Sequence, residues 1–510
     1  MKKTTQIGLC SLATALAMGL TQAASEPEVG GNALTIYSTA QPGAISPEVY
    51  RNGGRGQAIP GYAVVRQQRD INLTRGRNNV RFADVAAYID PTTVIFESLT
   101  DAAGTSVVEQ NFQFDLVSQD KLLQKYVDQT IKVDQVRGTA VESFTGTLLS
   151  TAGGMVLKRD DGTLQLLPNN AGITLPSLPG GLITRPTLVW DLNAKQAGNH
   201  RTRVSYQTTG LTWWTDYNVT YVDGSNANAC KLDIGAWVSI INQSGASYPE
   251  AKLKLVAGDV QRAQVPGRAY DRVMAAPAPM ARMEKDNGFA EKSFFEYHLY
   301  TLGRATTLPD NSTKQIELFP AARNVPCEKT LVYYGAAPGN YGYGGGPFTD
   351  RNFGVQSNRK VDVYLRFKNS PEHNMGMPLP SGRIRVSKQD SADRTLEFIG
   401  EDVIDHTPKN EKVLIKLGSA FDVVGERRQV DFKVDTTRKT MSEEIEVKLR
   451  NQKKEAVTVM VKENLYRWVN WQITAKTHDF EKLDARTIQF PVKIAAGAEV
   501  TVRYSVQYTW

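Results

Sequence analysis

The chain is expected to be mainly β: several antiparallel β-sandwiches, the C-terminal one immunoglobulin-like, with a small β-barrel-like unit and few helices. Three observations carry this. Period-two alternation recurs through the second half, as in Val361-Asp362-Val363-Tyr364-Leu365-Arg366-Phe367, in Ile445/Val447/Leu449 and in Val457/Val459/Val461. Such runs mark strands with one buried and one wet face. Turn signals, among them Pro309-Asp310-Asn311, Asp161-Gly162 and Asn451-Gln452-Lys453-Lys454, separate the runs at sandwich-like intervals. At 510 residues the chain also exceeds one hydrophobic core, and at roughly 150 residues each it divides into about three domains.

Residues 1–23 read as a secretory signal. Lys2 and Lys3 form a positive n-region, Ile7 to Leu20 is uncharged and too short to span a bilayer comfortably, and Thr21-Gln22-Ala23 supplies small residues before a cut after Ala23 or Ala24. A lipoprotein signal through Cys10 is disfavoured, because Leu9 precedes it and most of the apolar run follows it. No later segment has the ~18 unbroken apolar residues of a transmembrane helix. The expected location is therefore periplasmic or outer-membrane associated.

Residues 24–132 read as a β-rich segment with one short helix. Ser118 is its cap, Asp120 lies in its first turn, and Leu122/Tyr126 and Leu123/Val127 are i,i+4 apolar pairs. Residues 133–185 read as the small β-unit: Thr145–Leu149, Met155–Lys158 and Leu164–Leu167 are joined by Gly153-Gly154 and Asp160-Asp161-Gly162-Thr163. Strands this short need a neighbour to cover their apolar face. A sandwich is expected over 186–352, containing a mobile loop at 268–292 rich in Ala, Pro and Met, where Arg268, Arg272, Arg282 and Lys285 invite trypsin. Gly335 to Pro347 is a Gly/Tyr loop without the strand, helix and GK[ST] ending of a phosphate cradle. Further sandwiches are expected over 353–429 and 430–510. The last strand, Val500 to Trp510, alternates and ends on an aromatic as outer-membrane barrels do, but most strands here are shorter than a barrel wall requires.

Composition narrows the function. Losing Lys2 and Lys3 takes the net charge from +7 to +5, with Lys and Arg scattered among Asp and Glu, which argues against a nucleic-acid interface. Cys230 and Cys327 are the two thiols left after the signal, and in an oxidising compartment two cysteines most simply form a disulfide. His200, His298, His373, His406 and His478 are far apart, with no HExxH, no HxH and no Cys–His pair, so neither a metal nor another cofactor is expected. G-x-S-x-G is absent, and Asp160-Asp161-Gly162 lacks the later ligands of a calcium loop.

The stretch 294–319, FFEYHLYTLGRATTLPDNSTKQIELF, resembles the signature of the mucoidy-inhibitor A-like family of secreted bacterial proteins, defined by domain of unknown function 4139. The resemblance continues in Asp90-Pro91-Thr92-Thr93-Val94, in LPSLPGGLITRPTLVWDL (175–192), in Gly210–Tyr217, in Leu253–Val260 and in HTPKNEKVLIKLGSAFDVVGERR (406–428). It implies an envelope protein and assigns no chemistry. Some relatives carry a long coiled coil near the N-terminus, whereas this chain has the small β-unit there.

Within that block Glu296, His298, Asp310 and Lys314 are the candidates for an active centre: 296 and 298 share a strand face by the period-two rule, and a hairpin could set Gln315 or Glu317 opposite. The competing reading is polar cross-strand pairing, and it is favoured, since one strand pair supplies neither oxyanion donors nor a pocket. Trp213 with Trp214, Trp468 with Trp471, and Tyr297 with Tyr300 are candidate platforms for sugar rings or peptide, against the alternative of core packing. The functional expectation is a non-enzymatic envelope protein that binds a protein or polysaccharide partner. A secreted hydrolase centred on 294–319 and an outer-membrane component are the alternatives.

Overall fold

The computed structural model describes residues 31–37, 59–137, 140–152, 154–167, 172–258, 260, 288–335, 346–353, 357–373 and 375–510. The expected signal 1–23 and most of the 268–292 and 335–347 loops lie outside these residues.

The described residues form four sheets and one α-helix. The first sheet has eight strands: β1 (Asn32–Tyr37) is flanked by β2 (Tyr62–Leu73) and β15 (Tyr248–Ala257). Beyond β2 come β12 (Gly198–Thr209) and β4 (Ile89–Ser98). Beyond β15 come β17 (Tyr297–Leu302) and β16 (Phe289–Phe294), with β18 (Thr306–Leu308) on the other end of β15. A three-stranded sheet places β11 (Thr187–Ala194) between β3 (Gly76–Ala83) and β5 (Thr105–Gln113).

The largest sheet runs from β22 (Leu396–Ile404) through β21 (Gly382–Gln389), β13 (Leu211–Asp223), β14 (Ala229–Asn242), β19 (Ser312–Tyr334) and β20 (Lys360–Lys368) to β23 (Lys412–Asp435). It continues through β24 (Thr440–Asn451) and β29 (Glu499–Thr509) to β26 (Trp471–Lys476). A branch from β19 carries β25 (Val457–Asn464), β28 (Thr487–Ile494) and β27 (Glu481–Lys482). Most pairings are antiparallel, but β1–β15, β13–β21 and β19–β25 are parallel.

Two large cores result. The first takes Leu34, Ile36, Val65, Val204, Leu253 and Tyr300 from the eight-stranded sheet. Trp213, Ile234, Val238, Leu365 and Ile384 face them from the largest sheet, so the packing is sandwich-like. The second collects Ile445, Val447, Val459, Val461, Phe490, Val502 and Tyr504 from the two branches. Residues 353–429 contribute to both: Leu365 and Ile415 enter the first core, Val361 and Val423 the second.

The small unit is an open sheet rather than a barrel. Its order is β10 (Gly172–Thr174), β6 (Thr130–Arg137), β7 (Ala140–Ser150), β8 (Met155–Lys158) and β9 (Leu164–Leu167), and its two edges do not pair with each other. With its edges β10 and β9 left unpaired, the sheet has its apolar face covered by a helix. That helix, α1 (Gln119–Lys125), brings Leu123 and, just past its end, Tyr126 against Ile131, Val133, Leu148 and Leu157. Ser118 caps it as expected, accepting from the Lys121 amide at 3.3 Å. Asp161 accepts from the Thr163 amide and hydroxyl in the β8–β9 hairpin, so the Asp160–Gly162 stretch is a turn.

Candidate functional site

The residues of the 294–319 block fall at two separated places. Phe295 and Glu296 form the tip between β16 and β17, so Glu296 is an exposed turn residue and does not share a strand face with His298. His298 sits on β17 opposite Ser293 and Ala257, and its Nδ1 lies 2.7 Å from Glu291 Oε1. Asp310 lies beyond β18, where it accepts from the Gly245 amide while its own amide donates to Ser247. Lys314 donates to Thr306 at 3.0 Å. Ala257 marks the His298 end of β15 and Tyr248, opposite Leu308, the Asp310 end. Nine residues at ~3.3 Å each put the two groups roughly 30 Å apart. Gln315 and Glu317 pair with Ser239 and Trp237 of β14, not with β17. The long β19 leaves the first sheet at once, and this separates what sequence proximity suggested was one cluster.

The aromatic candidates are mostly core. Trp213 is 2% exposed and its ring centre lies 6.3 Å from that of Tyr300, whose hydroxyl donates to the Pro378 carbonyl. Trp214 is 8% exposed and donates its indole N–H to Asp216 at 2.8 Å. These three are therefore corrected from partner surface to packing. Trp468 and Trp471 pack against the second core. Tyr297 keeps part of its ring in solvent beside Phe295, which is 81% exposed. Residues 289–292, read as the end of a mobile loop, are instead strand β16.

Cys230 and Cys327 stand directly opposite on β14 and β19, with Cα atoms 4.9 Å apart, and form the disulfide. Among the described residues no group of three His, Cys, Asp or Glu could hold a metal ion. In the same residues no helix is long and apolar enough to cross a membrane.

What the sequence reading missed is the outer face of the eight-stranded sheet. Lys252 and Arg66 flank Ala33 in one cross-strand row, and Lys254 lies beside Thr35 in the row two residues on. Lys292 and Phe294 of β16 join the same face, since Lys292 is opposite Leu299 and Leu299 opposite Val256, two residues beyond Lys254. Directly paired residues share a face, so all four cations project together while Leu34, Ile36 and Val65 point to the core. All four are exposed, and none has an ion-pair partner among the described residues. Burial lowers the pKa of Lys254, and the charges of Lys292, Arg66 and Lys252 lower it further. Tyr37 and Tyr62 stack on the same face at 4.7 Å, and Phe294 and Tyr297 close its β16 end. The alternation of Lys252 and Lys254 was legible. Their meeting with Arg66 depends on a parallel pairing between segments more than two hundred residues apart. No protein-family description, curated protein or solved structure matches the chain.

Proposed function

We propose that this chain is a secreted, non-enzymatic cell-envelope module of the mucoidy-inhibitor A-like family, and that it binds an acidic polysaccharide on the outer face of its eight-stranded sheet. The set Arg66, Lys252, Lys254 and Lys292, which has no ion-pair partner among the described residues, carries this reading. Cations on alternate residues of one strand are ~6.6 Å apart, and those two strands apart are ~10 Å apart. Such a grid suits repeated carboxylates along a polymer better than it suits one small ligand. Like charges held this close raise the local potential and attract polyanions. The aromatic rings of Tyr297 and Phe294 at the margin offer flat apolar surfaces against which sugar rings can lie. The disulfide fits an oxidising compartment. His298 and Asp310 are tied into separate local hydrogen bonds, and this supports the binding reading over the hydrolase reading.

Titration of the mature protein with a polygalacturonate oligomer tests the reading. Binding is expected at low salt and should weaken as salt screens the exposed charges. The combined variant R66Q/K252Q/K254Q/K292Q should lose at least about tenfold in affinity, since each charge-assisted contact contributes on the order of 1 kcal/mol. Equal binding of neutral dextran, or unchanged affinity in the combined variant, overturns it. Binding to anionic lipid vesicles but not to the oligomer also overturns it, in favour of a membrane surface.

A further inference from the structure

Seven strands of the largest sheet, β22-β21-β13-β14-β19-β20-β23, curl until the first lies against the last. Among the described residues no ladder joins β22 to β23. Instead the Lys416 amide donates to the Asp402 carboxylate at 2.6 Å, and Gly400 packs so closely on the Leu417 carbonyl that a Cβ would collide with it. The result is a nearly closed curl with a cavity of about 230 Å³ at one end. The mouths of curled sheets are a common place for small-molecule sites.

Two irregularities shape this cavity. The β21–β22 register steps from Val386↔Gly400 to Ser387↔Phe398, leaving Ile399 without a partner. The β20–β23 register steps from Val363↔Gly418 to Tyr364↔Lys416, leaving Leu417 without one. A β-bulge redirects side chains locally, and here both unmatched residues line the cavity, with Val363 and Leu365 completing an apolar wall. The remaining rim is polar. Lys388 pairs with Asp223 at 2.6 Å, and the Tyr221 hydroxyl is hydrogen-bonded to the same carboxylate. Lys329 is half-buried on the rim and has no ion-pair partner among the described residues. Burial lowers its pKa and Lys453 lowers it further, while the carboxylates of Glu455 and Asp223 act in the opposite direction. Among the lining residues Lys329 and Lys388 are cations and Asp223 is the acid, so the lining itself carries one cation in excess, with Glu455 close by outside it.

We propose that this cavity binds a small organic anion, its carboxylate set against Lys329 and its apolar body, about the size of one ring, resting between Ile399 and Leu417. The size follows from the volume: a sealed apolar cavity of about 150 Å³ admits benzene, and this pocket, open on one side to solvent, has room for one ring at about 230 Å³. The charge preference follows from the Lys329 ammonium, which has no ion-pair partner within contact distance among the described residues and lies in a partly desolvated position, where a charge-assisted contact is stronger than in open water. The site is separate from the cationic face of the eight-stranded sheet and does not depend on that face binding polysaccharide.

The test is the ¹⁹F line width of 4-fluorobenzoate, with neutral 4-fluorobenzyl alcohol as the control, added to the mature protein. Broadening is expected for the benzoate at millimolar concentration and at least about tenfold weaker binding for the alcohol. Lys329→Met should weaken benzoate binding by a similar factor, and Val363→Phe should abolish it by filling the cavity, each with thermal unfolding recorded to confirm the fold. The variant R66Q/K252Q/K254Q/K292Q should bind benzoate as wild type does. No broadening with wild type, equal binding of the alcohol, or Lys329→Met within twofold of wild type overturns the proposal. Loss of benzoate binding in the combined variant alone overturns it as well, by moving the anion to the other face.

Discussion

Arg427, Arg467, Glu443 and Glu463 lie inside the second core at 3% exposure or less, whereas Arg66, Lys252, Lys254 and Lys292 stand outside the first core with their side chains exposed, on a face where Thr35, Tyr62, Val256 and Leu299 are buried. The inner set is paired. Arg427 donates to Glu463 at 2.9 Å, Tyr504 donates to the same carboxylate at 2.5 Å, and Arg467 meets Glu443 at 3.2 Å. Burial works against the Arg427 charge, but Glu463 beside it more than restores it, and its pKa is held well above the ordinary value. Arg467 also donates to the carbonyls of Phe348, Asp350 and Phe353, fixing the segment that leads into β20. The outer set repels itself. Charge that is paired away from water ties strands and loops together, while charge left unpaired in water adds little to folding and remains free for a partner.

The comparison is broken most directly at Glu463. Glu463→Gln keeps the shape but removes the carboxylate nearest the buried Arg427, and breaking a buried pair from one side costs about 3–5 kcal/mol. The urea midpoint should fall by that free energy divided by the slope, with the slope itself unchanged. Replacing both partners, Arg427→Met with Glu463→Leu, should recover most of the loss. A single variant within about 0.5 kcal/mol of wild type would mean the network is not what holds this core.

The next effect belongs to the first core, which has a covalent brace. Cys230 and Cys327 are 97 residues apart, a separation for which loop entropy allows at most about 4–5 kcal/mol. The β14–β19 ladder already holds the two strands, so Cys230→Ala with Cys327→Ala should cost about 2–4 kcal/mol. Thiol labelling of the unreduced, unfolded mature protein should find no reactive cysteine. Two labels per chain would show the bond absent, and the first core would then rest on apolar packing alone.

Much of this architecture was legible, and the legible parts share one property: they are local. Period-two runs at 361–367, 445–449, 457–461 and 500–509 became β20, β24, β25 and β29, and Ser118 with its i,i+4 apolar pairs marked α1. What could not be read depends on pairing between distant segments. The parallel β1–β15 ladder assembles the cationic face, and the two bulges that open the cavity exist only once β21 meets β22 and β20 meets β23. The same limit explains the errors at the 294–319 block. Glu296 and His298 are two residues apart, but a turn ends before Tyr297, and β19 then carries Lys314 to a different sheet.

The smallest effect separates the two charge sets most sharply. Lys254→Gln removes one member of the outer set, and because its neighbours Lys252, Lys292 and Arg66 repel it, the change should be neutral or slightly stabilising, within about 0.5 kcal/mol at neutral pH. The sign of the pH dependence follows from the direction of the shift. A lysine whose pKa is lowered on folding penalises the folded state while it is protonated, and the penalty is relieved as pH rises from the folded pKa toward the unfolded value of 10.5. Comparing midpoints at neutral and alkaline pH, wild type should therefore gain stability relative to Lys254→Gln as pH rises, and added salt should shrink the difference. A marked loss of stability in Lys254→Gln at neutral pH would place this lysine among the structural charges, beside Arg427, and would remove the strongest support for a polyanion on that face.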